Sequence, residues 1–278
     1  MRKLTIGMAV HDDYDGLYFT IQAIRMYHKE VLDNIEFVII DNNPDSAHGK
    51  HIRSLCDWIQ EPCQYLPYVN KKSTSVRNKI FDLAETPYVL SLDCHVLLEA
   101  GSLKKLIDYY DAGLDTGNLL QGPLVYDNMS SISTHFELKW SSCMWGTWET
   151  DQRGVDANAE PFEIPAQGCG LFSCRKDSWL RLNDKFEGFG GEEGYIHKKY
   201  KKAGKKTMCL PFLRWLHRFG RPNGVTYPNN MQQRYRNYMI GFSELGLPHQ
   251  EVTDHFLSHG ALTEETTEDI KKELQIFD

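Results

Sequence analysis

The chain has 278 residues, with 31 Lys and Arg against 38 Asp and Glu for a net charge of −7; 41% of residues are hydrophobic and 25% charged. This is the composition of a globular protein and excludes a disordered chain, a collagen or a coiled coil, while the acidity argues against a surface that coats nucleic acid all over. The charge is unevenly placed: residues 194–243 contain no Asp or Glu and eleven Lys and Arg, so +11 there leaves −18 for the rest.

In chain order, residues 4–10 form a short apolar run that predicts a buried strand. Residues 15–29 place Leu17, Ile21, Ile24 and Tyr27 at helical spacing. Residues 35–40 predict a second buried strand, ending in Asp41-Asn42-Asn43. A helix is expected over 51–59, a strand over 64–69, a helix over 75–84 and a strand over 88–92 that ends in Asp93-Cys94-His95; 103–110 returns to helix. Strands and helices alternating in this way predict an α/β fold with a mainly parallel sheet, whose chemistry lies beyond the carboxyl ends of the strands. Residues 119–125, 162–165 and 206–210 read as further strands. Residues 126–160, with Trp140, Trp145 and Trp148, read as a long polar loop of the kind that serves as a lid or binding loop. Helices are expected over 230–245, 249–258 and 263–275, which divides the chain into a body, 1–227, and a helical extension packed on it, 228–278.

Met1-Arg2-Lys3 leads straight into the first strand, without a secretory apolar run, and no stretch approaches the roughly 20 apolar residues of a membrane span. Seven cysteines at irregular spacing, with no C-x-x-C pair, predict reduced thiols. The expectation is a cytoplasmic protein.

Asp93 and His95 are two apart at a strand end, where both side chains point to one side. One oxygen and one nitrogen ligand suit Mn²⁺ or a similar ion in a mixed site that a phosphate completes. Such a pair also serves ordinary capping and hydrogen bonding. His217 lies among Arg214, Trp215, Arg218 and Phe219 inside the acid-free segment. Phe189-Gly190-Gly191-Glu192-Glu193 joins a tight turn to a helical pattern through Tyr195, Ile196 and Tyr200. Its carboxylates either favour a helix dipole or face a cleft as catalytic or orienting groups.

Together these pieces resemble the GT-A class of nucleotide-sugar glycosyltransferases. Residues 5–98, with Ile40-Asp41-Asn42, the pair Arg77-Asn78 and the acidic strand end at Asp93, look like family 2 enzymes. Asp93-Cys94-His95, Gly168-Cys169-Gly170-Leu171-Phe172, Gly190-Gly191-Glu192 and the later His217 look like the polypeptide N-acetylgalactosaminyltransferases and β-1,4-galactosyltransferases. The resemblance covers about residues 4–220. It implies a GT-A fold with a C-terminal helical appendage, and Mn²⁺ (or Mg²⁺) held by Asp93, His95 and His217. It implies a UDP-sugar donor lined by Val10, His11, Asp12, Asp41, Arg77, Asp93, Gly168 and Gly170. Glu192 and Glu193 are then the catalytic carboxylates, facing the sugar and an acceptor hydroxyl.

Six lysines between residues 197 and 206 read mainly as a solvated helix face, while Arg214, Arg218 and Arg221 surround His217 and would steady a diphosphate. Eleven cations exceed the need of one diphosphate, so an anionic acceptor is expected, such as the hydroxymethylated DNA bases that some bacteriophage enzymes glycosylate. A glycan or protein acceptor is the other expectation, and a virus-encoded protein in a host cytoplasm fits the first. Two other classes compete. A sugar nucleotidyltransferase would need a Gly-rich, Arg-containing loop after the first strand, where this chain has the acidic stretch 11–16. A non-catalytic binder of sugar nucleotide or glycan predicts loss of a metal ligand or of the acidic pair.

Overall fold

The computed structural model describes residues 1–70, 72–220, 224–227 and 229–276. Its centre is β1 (Leu4–Val10), flanked in parallel register by β2 (Ile35–Asp41) and β4 (Tyr88–Asp93), with β3 (Cys63–Pro67) parallel to β2. Every residue of β2 is buried, because helices cover both faces of the sheet. Its side chains alternate accordingly. Phe37 and Ile39 join one core with α1 (Tyr14–Tyr27), α2 (Ala47–Trp58) and α4 (Ser102–Asp111). Val38 and Ile40 join the other, with α3 (Arg77–Leu83) and α5 (Glu192–Lys202). Gly7 lets α3 approach β1: a Cβ there would lie 1.9 Å from Ile80 Cγ2.

The second half of the sheet is mixed. β12 (Leu171–Arg175) runs antiparallel to β4 and to β6 (Leu119–Gln121); β13 (Thr207–Cys209) is parallel to β6, and β11 (Phe162–Glu163) closes the edge. The strand expected over 119–125 is broken. At Gly122, where a Cβ would meet Leu213 O at 1.8 Å, the chain leaves the main sheet, and β7 (Leu124–Val125) enters a second one. That sheet has the order β5 (Val96–Leu98), β14 (Trp215–His217), β7, β8 (Ile132–Ser133). Residues 126–160 are not simply a loop. They contain β8 and the hairpin β9 (His135–Ser141) and β10 (Met144–Glu149), whose Trp145 packs on Phe242 of α6 (Met231–Leu245). Irregular alternation and a register shift after Trp145 hide the pair from a period-two reading.

The three C-terminal helices, α6, α7 (Gln250–Ser258) and α8 (Glu264–Leu274), fall within a residue of expectation, and several of their ends carry a local signal. Asn230 caps α6 and Gly246, at φ +66°, ends it. All seven cysteines are free thiols. Among the described residues no helix is long and apolar enough to cross a membrane.

Candidate metal and donor site

The site forms where the two sheets meet. β4 ends at Asp93, and the chain turns through Cys94 and His95 into β5. β5 pairs antiparallel with β14, placing His217 opposite Val96. That ladder brings together residues 122 apart: Nε2 of His95 lies 3.1 Å from Nε2 of His217. Nε2 of His217 is in turn 3.5 Å from Oδ2 of Asp93. The three ligand atoms lie within 4.8 Å of one another. Neighbouring ligands of a six-coordinate ion with bonds near 2.1 Å lie about 3 Å apart, close to the His95–His217 and His217–Asp93 spacings. Gly170 leaves room for it: its carbonyl accepts from Asp93 N at 2.9 Å, and a Cβ there would approach Trp215 at 2.9 Å and Asp93 Oδ2 at 3.3 Å. Gly168 is pressed against Trp148, 3.1 Å from its own missing Cβ.

Arg77 joins this trio to the acidic turn. Its Nη2 donates to Asp93 Oδ1 at 2.9 Å and its Nη1 lies 3.6 Å from Glu192 Oε1. Burial would raise Asp93, but the hydrogen bond from His217 and the charge of Arg77 hold it well below the usual carboxylate range. Asp93 is therefore an anion, as a metal ligand must be. Glu192 is the opposite case. It opens α5, is 1% exposed and leaves Oε2 without a hydrogen-bond partner. Burial, and then repulsion from Glu193, push it up to about 8, with Arg77 offsetting only part. Glu193, half-buried, is raised chiefly by burial. The turn before them needs φ of +99° at Gly190 and +93° at Gly191, values that favour glycine. Asn237 of α6 holds that turn, donating to Glu187 O and Gly190 O and accepting from Glu187 N.

At the end of β1, the Val10 side chain is in the core and its carbonyl accepts from Asn42 N. His11 is half-buried and its carbonyl accepts from Thr226. Asp12, at φ +51°, accepts from Asn43 Nδ2. Asp41 is fully buried, its oxygens taken by Asn43 N and the Tyr65 hydroxyl. Val10 and Asp41 are thus buried at the ends of β1 and β2, and of the four only His11 and Asp12 are partly exposed. Sequence reasoning passed over Asp13, which contacts His95 and Arg218, and Asn237, which lies far along the chain; Asp13 carries only a helix-cap signal.

The basic segment is less unbalanced in space than in sequence. Among its described residues, Lys199 pairs with Glu244, Lys206 with Glu163, Arg214 with Glu99, Arg218 with Asp13 and Arg236 with Glu273. Acids from other segments have folded onto it. Arg221 lies outside the described residues.

Residues 5–178 match the family model described as glycosyl transferase family 2. Among solved structures, the crystal structure of GalNAc-T7 with UDP, GalNAc and Mn²⁺ superposes with a TM-score of 0.69 at 14% identity, over 94% of this chain and 55% of that one. The chain thus spans about half the length of that protein. S. aureus TarS (residues 1–349) superposes with a TM-score of 0.55 at 11% identity, over 92% of this chain and 71% of that one. At such identities the likeness speaks for the fold. No curated protein matches.

Proposed function

Because the chain belongs to glycosyl transferase family 2 and has the GT-A fold, we propose that it moves a sugar from a UDP-sugar to an acceptor hydroxyl with the help of Mn²⁺ or Mg²⁺. The observation that carries this is the convergence of Asp93, His95 and His217 on one point, with Glu192 linked to it through Arg77. Two imidazoles and a carboxylate also serve other metals. The family and fold turn this set toward a diphosphate.

When bound, the ion supplies a Lewis acid that neutralises the departing diphosphate. Asp93, His95 and His217 would hold it. Arg77, buried beneath Asp93, contributes a fixed positive charge and keeps both carboxylates in place. His11 and Asp12 would line the nucleotide end, with the buried Val10 and Asp41 supporting them from below, and Gly168 and Gly170 let Trp148 and Trp215 close against the strand end. Glu193 takes the acceptor proton, being the more exposed of the acidic pair. Glu192, kept protonated near neutral pH by burial, orients the sugar by donating a hydrogen bond.

A second reading concerns the acceptor. Lys198, Lys201, Lys205 and Lys206 line a groove of about 340 Å³ along α5, in which Glu163 is paired with Lys206. Lys198 follows Glu192 by six residues, roughly 9 Å along the helix axis. The groove would suit an anionic acceptor such as a hydroxymethylated DNA base, with the protein acting in a cytoplasm. Salt-sensitive binding of duplex DNA supports it, and no binding at low salt removes it.

The test of the main reading needs no acceptor. The protein is incubated with Mn²⁺ and a panel of nucleotide sugars, and released nucleoside diphosphate is measured. Slow hydrolysis of one UDP-sugar is expected. Neither hydrolysis nor nucleotide binding with any donor would favour a non-catalytic binder.

A further inference from the structure

Asp13 plays no part in the chemistry above, yet two distant segments meet on it at the start of α1. It is 6% exposed and caps α1, its Oδ1 accepting from Gly16 N at 3.1 Å. The same oxygen accepts from Nη2 of Arg218, the neighbour of His217, at 2.7 Å. Oδ2 is turned the other way, 2.9 Å from Nδ1 of His95 and 3.8 Å from Sγ of Cys94. Capping requires one oxygen, and Asn, Ser or Thr would serve as well. The second oxygen has a different task.

A carboxylate that already takes a guanidinium and a backbone N–H offers only lone pairs at its other oxygen. The hydrogen between Asp13 and His95 therefore sits on Nδ1, and in the neutral imidazole that binds a metal Nε2 keeps its lone pair. That Nε2 is the atom facing His217. We propose that Asp13 is a positioning residue for the metal site: it fixes the tautomer and ring orientation of His95, and through Arg218 it secures the strand end that carries His217. The proposal rests on the metal-site reading above. Ligating histidines almost always pass their second N–H to such an acceptor, and losing the acceptor costs about 10–100-fold in metal affinity.

Asp13→Asn separates positioning from capping. Its amide oxygen still accepts from Gly16 and Arg218, so the cap survives. The amide nitrogen then faces Nδ1 of His95 and donates to it, which moves the imidazole hydrogen to Nε2 and removes the lone pair from the ion's side. Mn²⁺ is titrated into the full-length protein without nucleotide, the free ion is read by electron paramagnetic resonance, and the melting transition is recorded in parallel. The expected result is Mn²⁺ binding weakened about 10–100-fold with the cooperative melt retained. Binding within about twofold of wild type overturns the positioning role while leaving the metal site intact. A wild-type protein that binds no Mn²⁺ removes the metal reading and this proposal together. Should the variant fail to fold, ¹⁵N NMR of His95 in the metal-free wild type decides: a hydrogen on Nδ1 supports the proposal, and one on Nε2 overturns it.

Discussion

Arg77 and Asp93 are joined at one carboxylate oxygen only: Nη2 donates to Oδ1 at 2.9 Å, which leaves Oδ2 turned toward His217 at 3.5 Å. Each oxygen of Asp93 thus has its own partner, and the guanidinium limits how the carboxylate can rotate. Arg77→Ala would strand the partly buried Asp93 carboxylate without its cation. The expected loss is about 3 kcal/mol of stability. Urea denaturation followed by circular dichroism measures it, and a loss under about 1 kcal/mol would show the pair to be energetically idle.

Chelation is expected to abolish sugar transfer and added Mn²⁺ to restore it. Asp93→Ala, His95→Ala and His217→Ala each remove one proposed ligand. Each should lower kcat/KM at least about 100-fold at a fixed Mn²⁺ concentration, corresponding to several kcal/mol of lost charge stabilisation. Partial recovery at high Mn²⁺ would mark a binding defect. Transfer by Asp93→Ala at the wild-type rate would refute the metal mechanism.

The acidic pair makes stability depend on pH. Glu192 is raised from an ordinary value of 4.5 to about 8, so the folded state keeps a proton that the unfolded state releases. The folded state binds more protons in this window, and its stability must fall as pH rises from about 4.5 toward 8. Glu192→Gln removes the titrating group and should flatten that decline. Urea midpoints at pH 5, 6, 7 and 8 for both proteins provide the comparison, and parallel curves would show that Glu192 is ionised throughout.

The two carboxylates should separate kinetically. Glu193→Gln removes the proposed base and is expected to lower kcat by about 10²–10⁴-fold with little change in donor KM. Glu192→Gln keeps a hydrogen-bond donor and should be milder. The reverse order would exchange the two roles.

Asn237 makes three hydrogen bonds to the turn that presents those carboxylates. Asn237→Ala leaves buried backbone groups of Glu187 and Gly190 unpaired, at a cost of about 1–3 kcal/mol. Since the turn carries Glu192 and Glu193, kcat should fall with stability. A stable variant with full activity would mean that the turn holds its shape alone.

The parallel half of the sheet and the three terminal helices were legible because their signals are local. Leu4–Val10 and Ile35–Asp41 are continuous apolar runs, and Asn230, Gly246 and Thr263 mark helix ends within a turn of the residues they bound. β5 and β14 are three residues each, too short to show a period, and β12 begins just after the Gly168–Gly170 stretch. The hairpin of 135–149 lost its alternation where its tryptophans pack against α6.

The sequence by itself determined the fold class and the chemistry of each fragment: an Asp and a His on one side of a strand end, two carboxylates after a glycine turn, and a histidine among cations. It also displayed a basic segment that looked unpaired. Only the tertiary structure decided which fragments meet. A short ladder between β5 and β14 brought His217 to His95 across 122 residues. The helix cap of α1 became the second contact of His95. Acids from elsewhere neutralised half of the described cations in the basic segment. The reason is physical. Side-chain direction along a strand follows from a two-residue repeat, whereas pairing between strands and between charges depends on how the whole chain packs.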